Sequence, residues 1–262
     1  MMKCILRQYT EDEKEQRGKD RMERKERGEE EPRKPRNKQV SACMWGKKKA
    51  FQQLADRIKA RDPAQEKKIF ILLDGAPSLE KRLMEEFDQR KWLERIEGFG
   101  LDIFHVSEYL WDTATALYGE KNKERQKWIE KQLLGLLKGK VGRVVGGLKQ
   151  THTRGKDYLK KKAKSSLSRT ITYFENHKHM MQYDKYLEKG YSIGTGVIEG
   201  TCGSLVKDRT ECSGMKWTKI GAQAVLDIRG IKKNGDFEQY MNFHIEKERE
   251  RLYGSRSLGN TA

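Results

Sequence analysis

The sequence is poor in cysteine and has no long hydrophobic run. Its 262 residues hold four cysteines that are far apart and form no CxxC pair, so neither a disulfide framework nor a zinc site is supported. No apolar run approaches the roughly 18 residues needed to span a bilayer. No apolar stretch of signal-peptide length precedes the first charged residues. These absences predict a cytoplasmic protein with reduced thiols and no membrane-spanning segment.

Acidic residues are also few relative to basic ones. The chain has 56 Lys and Arg against 39 Asp and Glu, which gives a formal charge of +17 and a pI near 9.6. An excess of this size indicates a polyanionic partner, either nucleic acid or an anionic membrane surface. Because the hydrophobic fraction is 35%, the core is expected to be modest for the length.

Residues 1–39 and residues 40–106 differ in composition and in the structure that they predict. Residues 1–39 are mostly charged and cannot bury a core, which predicts a disordered or solvated arm; a DNA-contacting arm is the alternative. Residues 40–106 predict an α/β unit. A helix with Phe51 and Ala55 on one face ends before Pro63, and the apolar run 69–73 predicts a strand buried on both faces. A second helix, with Ser78 as its N-cap, leads to another strand within "GFGLDIFHV".

The remaining chain is predicted to be helical. Residues 107–188 carry no strand signal and include a basic stripe whose members Lys160, Lys161 and Lys162 either contact phosphates or form a solvated face. Residues 189–254 predict a helix that bears Glu199 and two further helices. On the first of these two, Ile220, Ala224 and Ile228 share one face, which predicts a core position. Residues 255–262 predict a frayed tail.

Two candidate sites follow the predicted strands. Asp74 comes directly after an apolar strand, at the edge where open α/β sheets bind ligands; the alternative is a turn aspartate that caps the next helix. Asp102 and His105, in "LDIFH", are predicted at the end of the second strand. Such a pair either orients a metal or phosphate or is structural.

Glu199 lies in "GTGVIEG", whose glycine spacing does not match a dinucleotide-binding loop. Its small neighbours would let a metal and a nucleic-acid backbone approach the carboxylate; the alternative is an ordinary first-turn glutamate. Nearby cations predicted to contact phosphates are Lys207, Arg209 and Lys216. Together, Asp74, Asp102 and Glu199 predict a carboxylate cluster for Mg²⁺ or Mn²⁺, since hard divalent cations prefer oxygen ligands.

The stretches "FILLDGAP", "DIFHVSEYLWDTATALYGE" and "YLEKGYSIGTGVIEGTCGSLVKDR" resemble, in order and spacing, bacterial insertion-sequence transposases of the DDE type, in particular the ISKra group. The resemblance covers about residues 48–253. It implies a ribonuclease-H-like core interrupted by an all-helical insertion, and Mg²⁺-dependent cleavage and transfer of DNA strands at the insertion-sequence ends. Carried over, Asp74 and Glu199 are the second and third catalytic acids and metal ligands, and Asp102 and His105 are accessory.

The first catalytic aspartate of that family has no counterpart here. Asp12, Asp20 and Asp56 lie in polar or helical contexts and are poor substitutes. The sequence therefore predicts an amino-terminally truncated transposase with a partial core, exposed sheet edges and little catalysis on its own. The alternatives are a catalytically dead DNA-binding remnant and a ribonuclease-H-like nuclease. The oligomeric state, a homo-oligomer included, stays open.

Overall fold

The computed structural model describes residues 38–194, 203–208 and 215–254. They fall into two compact units: residues 45–194 form one, and residues 38–44, 203–208 and 215–254 belong to the other. The described residues are mostly helical and include a small two-stranded parallel sheet. The predicted α/β class with a majority of helix is confirmed at that level. Glu199, Arg209, nearly all of the charged arm and the tail 255–262 lie outside the described residues.

The first part of the larger unit is a strand–helix–strand unit with one helix before it. Its elements are α1 (Lys47–Arg61), β1 (Ile69–Leu73), α2 (Pro77–Gln89), a short 3₁₀ turn (Leu93–Arg95) and β2 (Ile96–Leu101). The two strands are parallel and in register from Ile71↔Phe99 to Leu73↔Leu101, with α2 as the crossover that parallel pairing requires. The predicted order of helix, strand, helix and strand is confirmed.

Strand β1 is covered on both faces, as its apolar run predicts. Ile71 is buried in a cluster with side chains of α1 and α2, while its neighbour Phe70 packs against the larger helical core. Successive side chains of a strand point to opposite faces. Five adjacent apolar residues therefore fit a strand that lies between two layers.

Two local predictions in this part are wrong. Helix α2 begins at Pro77 with Ala76 as its N-cap, because proline suits the first helical position, where the missing N–H has no partner to lose. Ser78 therefore lies inside the helix, where its Oγ accepts a hydrogen bond from Lys47 Nζ at 2.8 Å. The second strand ends at Leu101, so that His105 lies in the first turns of the next helix and not at a strand end.

Helices alone follow β2 in this unit. They are α3 (Ile103–Tyr118), α4 (Lys123–Leu137), α5 (Val141–Arg154), α6 (Lys161–Asn176), a 3₁₀ turn (Lys178–Met180) and α7 (Tyr183–Glu188). Their apolar faces share one core, in which Leu110, Leu136 and Leu167 are fully buried. The prediction that residues 107–188 contain no strand is confirmed.

Two carbonyls on the outer edge of β2 accept hydrogen bonds from tyrosines of α7. Tyr183 donates its hydroxyl hydrogen to the Leu101 carbonyl at 2.9 Å, and Tyr186 donates to the Phe99 carbonyl at 2.7 Å. These alternate carbonyls point away from β1 in a parallel ladder. The contacts satisfy these two carbonyls, and the exposed sheet edge stays a prediction for the rest of the sheet.

The described residues of the second unit form a π-helical turn (Gly203–Lys207), α8 (Lys219–Asn234) and α9 (Phe237–Tyr253). The predicted core face of α8 is wrong: Ile220 and Ile228 are 73% and 46% exposed. The buried face carries Gln223, whose side chain accepts a hydrogen bond from the Met44 backbone at 2.7 Å. The segment 38–44 covers that face because its backbone pairs with polar side chains of α8, which apolar spacing cannot reveal. None of the helices described is long and apolar enough to cross a membrane.

Candidate functional site

The carboxyl ends of β1 and β2 meet at one edge of the sheet. The strands are parallel, and the Asp102 N–H donates to the Leu73 carbonyl at 2.8 Å as the last rung of the ladder. Asp74 and Asp102 are each the first residue after a strand, so both lie at this edge of the sheet. This is the position at which open α/β sheets bind ligands.

Asp102 is held as a helix cap. Its side chain is buried, with the residue 3% exposed, and Oδ1 accepts a hydrogen bond from the Phe104 N–H at 3.0 Å. This contact satisfies one of the unpaired N–H groups at the start of α3. The cap is a structural role of Asp102, and its part in orienting a metal or phosphate stays a prediction.

Asp74 combines a turn role with access to a cleft. Its Oδ1 accepts a hydrogen bond from the Ala76 N–H at 3.0 Å, which closes an Asx turn before α2. The residue is half-buried, and it lines a cleft of about 510 Å³, called the Asp74 cleft below. The turn uses one carboxylate oxygen, so the other remains for a ligand in the cleft.

A tyrosine from α6 fixes the backbone at Asp74. Tyr173 donates its hydroxyl hydrogen to the Asp74 carbonyl at 3.0 Å. Burial raises the pKa of the Tyr173 hydroxyl well above its ordinary value, and the negative charges of Asp74 and Asp102 raise it further. Tyr173 therefore stays protonated and remains a donor. Gly75, which follows Asp74, has φ +80°, and a Cβ there would lie 2.5 Å from the Tyr173 oxygen. This position therefore requires glycine.

Two histidines line the same cleft. His177, at the end of α6, is 9% exposed, and its Nδ1 lies 2.8 Å from the Tyr173 carbonyl. Because a carbonyl only accepts, Nδ1 carries the hydrogen in this contact, and Nε2 is the nitrogen left to accept a proton or bind a cation. His105, on α3, pairs through Nδ1 with Glu108 at 3.1 Å.

Two tyrosine rings form another part of the wall. Tyr109 and Tyr173 stack with their centroids 4.0 Å apart, and the His177 ring lies 4.5 Å from that of Tyr173. The guanidinium of Arg169 lies over Tyr109 at 5.6 Å. The cleft thus combines one carboxylate, two imidazoles, a cation and two phenol rings.

The described residues do not make a metal site by themselves. Within residues 38–194, 203–208 and 215–254 there is no group of three or more His, Cys, Asp or Glu side chains placed to hold a metal ion. Asp74 offers one carboxylate oxygen, and Asp102 uses an oxygen for its helix cap. A site of the predicted kind needs a further donor from outside these ranges, and Glu199 is the donor that the sequence predicts.

The predicted phosphate contacts lie in both units. Lys160, Lys161 and Lys162 are exposed at the start of α6. Lys207 is half-buried at the end of the π-helical turn and Lys216 is exposed, both in the second unit. Arg209 lies outside the described residues. The structure therefore places the lysine cluster of α6 and Asp74 in one compact unit.

Sequence reasoning missed the contribution of α6 to the site. Tyr173 and His177 are spaced by four residues in "TYFENHKHM", so a helix places them on one face. That spacing was available, but nothing local to it shows that this face meets the end of β1, about one hundred residues earlier. Comparison of the chain with protein-family models, with curated proteins and with solved structures finds no match in any of the three.

Proposed function

We propose that this chain carries part of a DDE-type site for cleaving and joining DNA strands, with Asp74 and Glu199 as ligands of Mg²⁺ or Mn²⁺. The observation that carries the proposal is the position of Asp74. It follows a parallel strand directly and lines a cleft at the carboxyl edge of the sheet. Such an edge is where the fold gathers ligand-binding groups.

The lining of the Asp74 cleft supports a nucleic-acid substrate. The Arg169 guanidinium, which also pairs with Asp112, can pair with a phosphate, and Tyr109 and Tyr173 give the wall an apolar part that a sugar or base can contact. The formal charge of +17 supports the same partner, because a DNA backbone must be neutralised to be bound. A small uncharged substrate would need neither feature.

The course of the chain permits Glu199 to take part. The Ile103 N–H, at the start of α3, donates to the Ile193 carbonyl at 2.9 Å, which ties residue 193 to the end of β2. Glu199 follows six residues later, and six residues span at most about 22 Å. The length of the chain therefore allows the Glu199 carboxylate to reach the sheet edge at which Asp74 lies.

In this proposal each side chain has a limited task. Asp74 and Glu199 hold the cation, which when bound would polarise the phosphate and lower the pKa of a coordinated water. Tyr173 and Gly75 hold the Asp74 backbone in place. His177 lines the cleft, and its Nδ1 contact with the Tyr173 carbonyl fixes the ring.

The test is metal-dependent nicking of supercoiled DNA at high protein concentration. We expect slow nicking that needs Mn²⁺ or Mg²⁺ and is lost in Asp74→Asn and Glu199→Gln. The matched control is Asp88→Asn, which removes the same charge from an exposed position of α2. Nicking that is equal in all four proteins would refute the proposal.

A second candidate is a DNA-binding protein without catalysis. It is favoured by the finding that no three metal-ligating side chains cluster among the described residues. It predicts that Asp74→Asn and Glu199→Gln bind DNA as tightly as the parent chain, with no metal-dependent nicking in any of them. DNA affinity that does not respond to salt would count against both candidates.

A further inference from the structure

A second cleft lies beside the first, between α3, α4 and α6. It has a volume of about 720 Å³, and its walls carry three cations, Arg125, Lys162 and Arg169. Arg169 also lines the Asp74 cleft, so the two clefts share this side chain. All of these residues belong to the larger compact unit.

Arg125 is positioned by packing and not by an acid. Its guanidinium lies over the Trp111 ring at 5.0 Å, and its Nε is buried with no hydrogen-bond partner in the described part of the chain. A stacked guanidinium that forms no ion pair keeps its full charge and a fixed orientation. That combination suits recognition of a phosphate.

Two further features make the cleft favourable for an anion. Lys162 lies in the first turn of α6, which contains no acidic residue, so its charge adds to the positive end of the helix. Ser165 places a hydroxyl in the wall between Lys162 and Arg169. Two carboxylates also line the cleft: Asp112 is paired with Arg169 at 2.6 Å, and Glu120 is exposed at the rim. The cations thus outnumber the acids three to two.

We propose that this second cleft binds a backbone phosphate of DNA, next to the strand that occupies the Asp74 cleft. The choice of DNA as the source of the phosphate rests on the proposed function. Both clefts are lined by Arg169, so a phosphate in the second cleft would lie close to a strand in the first. The specific claim is that Arg125 and Lys162 contact phosphate, while the exposed lysines Lys123 and Lys131 of α4 do not.

The experiment measures DNA affinity against salt for Arg125→Met and Lys162→Met. Methionine keeps much of the side-chain stem and removes the charge. The matched controls are Lys123→Met and Lys131→Met on α4, which remove exposed charges that do not line the cleft. Each lost phosphate contact lowers the slope of log affinity against log salt by about 0.9 on duplex DNA. We expect a fall of about 1 in each cleft variant and about 2 in the double variant.

The controls decide between this cleft and a diffuse basic surface. Equal falls in cleft and control variants, or no fall in the cleft variants, would overturn the proposal. If inorganic phosphate binds the parent chain and is lost in the cleft variants while their DNA slope is unchanged, the site takes free phosphate and the proposal is likewise wrong. Lys162 is exposed, so its variant stays informative even if Arg125→Met fails to fold.

Failure of this proposal can be distinguished from failure of the proposed function, because the salt slope and the nicking are measured independently. A reduced salt slope without any metal-dependent nicking supports the second cleft and refutes the catalytic site. Nicking that is lost in Asp74→Asn, with unchanged slopes in the cleft variants, supports the catalytic site and refutes the second cleft.

Discussion

Gly75 lies against the Tyr173 hydroxyl, and together they fix the backbone of the candidate catalytic residue Asp74. Replacing Gly75 with alanine tests how closely the two residues pack. The glycine has φ +80°, and a Cβ would lie 2.5 Å from the Tyr173 oxygen and 2.8 Å from Leu101 Cδ1. The left-handed backbone costs an L-residue about 1–2 kcal/mol, and overpacking adds about 1–3 kcal/mol. We expect Gly75→Ala to lower the free energy of unfolding by about 2–5 kcal/mol.

Gly190→Ala is the matched control. Gly190 also has a positive φ, +73°, in the left-handed turn after α7, but a Cβ there meets no atom within 4 Å. Its replacement should therefore show only the backbone term, about 1–2 kcal/mol. The difference between the two variants isolates the collision with Tyr173 and Leu101.

Tyr173→Phe, alone and combined with Gly75→Ala, gives a double-mutant cycle. Alone, this change removes the hydrogen bond to the Asp74 carbonyl and should cost about 0.5–1.5 kcal/mol. In the double variant the alanine no longer meets the hydroxyl, so the loss should be smaller than the sum of the single losses by about 1 kcal/mol. Urea unfolding of all variants supplies these values. Additive losses, or equal losses for Gly75→Ala and Gly190→Ala, would refute this explanation.

Two further predictions concern the same unit. Asp102→Ala should lower the free energy of unfolding by about 0.5–2 kcal/mol because the cap of α3 is lost. Asp102→Asn should retain most of that stability and any metal-dependent nicking. Loss of nicking in a stably folded Asp102→Asn would instead make Asp102 a metal ligand. Hydrogen bonds from Lys189 and Tyr191 lower the pKa of Glu97 below its ordinary value near 4.5, so its contribution is present above that pH and is lost as the pH falls through the lowered pKa. Urea midpoints of the parent chain should therefore fall more steeply below about pH 4.5 than those of Glu97→Gln, and parallel curves would contradict this.

Much of the fold followed from local patterns, and the exceptions have identifiable causes. The apolar run 69–73 and the helix before Pro63 were predictable because burial on both faces and helical spacing leave a direct mark on the sequence. The start of α2 was misplaced by one signal, since Pro77 outweighs Ser78 as a start marker. On α8 the apolar spacing pointed to the wrong face, because Gln223 is buried by hydrogen bonds to the segment before α1.

The candidate site was predictable only in part, for a physical reason. Asp74 was found because it ends a strand, which is a local property. His177 and Tyr173 join it only through packing of α6 against the sheet end, and Arg125 gains its role through the Trp111 ring. Contacts between residues far apart in the chain leave no mark within either segment.

The central claim is that Asp74 and Glu199 hold the same divalent cation. Titration of Mn²⁺ followed by electron paramagnetic resonance, on the parent chain, Asp74→Asn, Glu199→Gln and the double variant, tests it without relying on catalysis. We predict that each single change weakens Mn²⁺ binding about tenfold or more, and that the loss of binding free energy in the double variant is smaller than the sum of the two single losses. Binding that survives either single change unaltered would contradict a shared site.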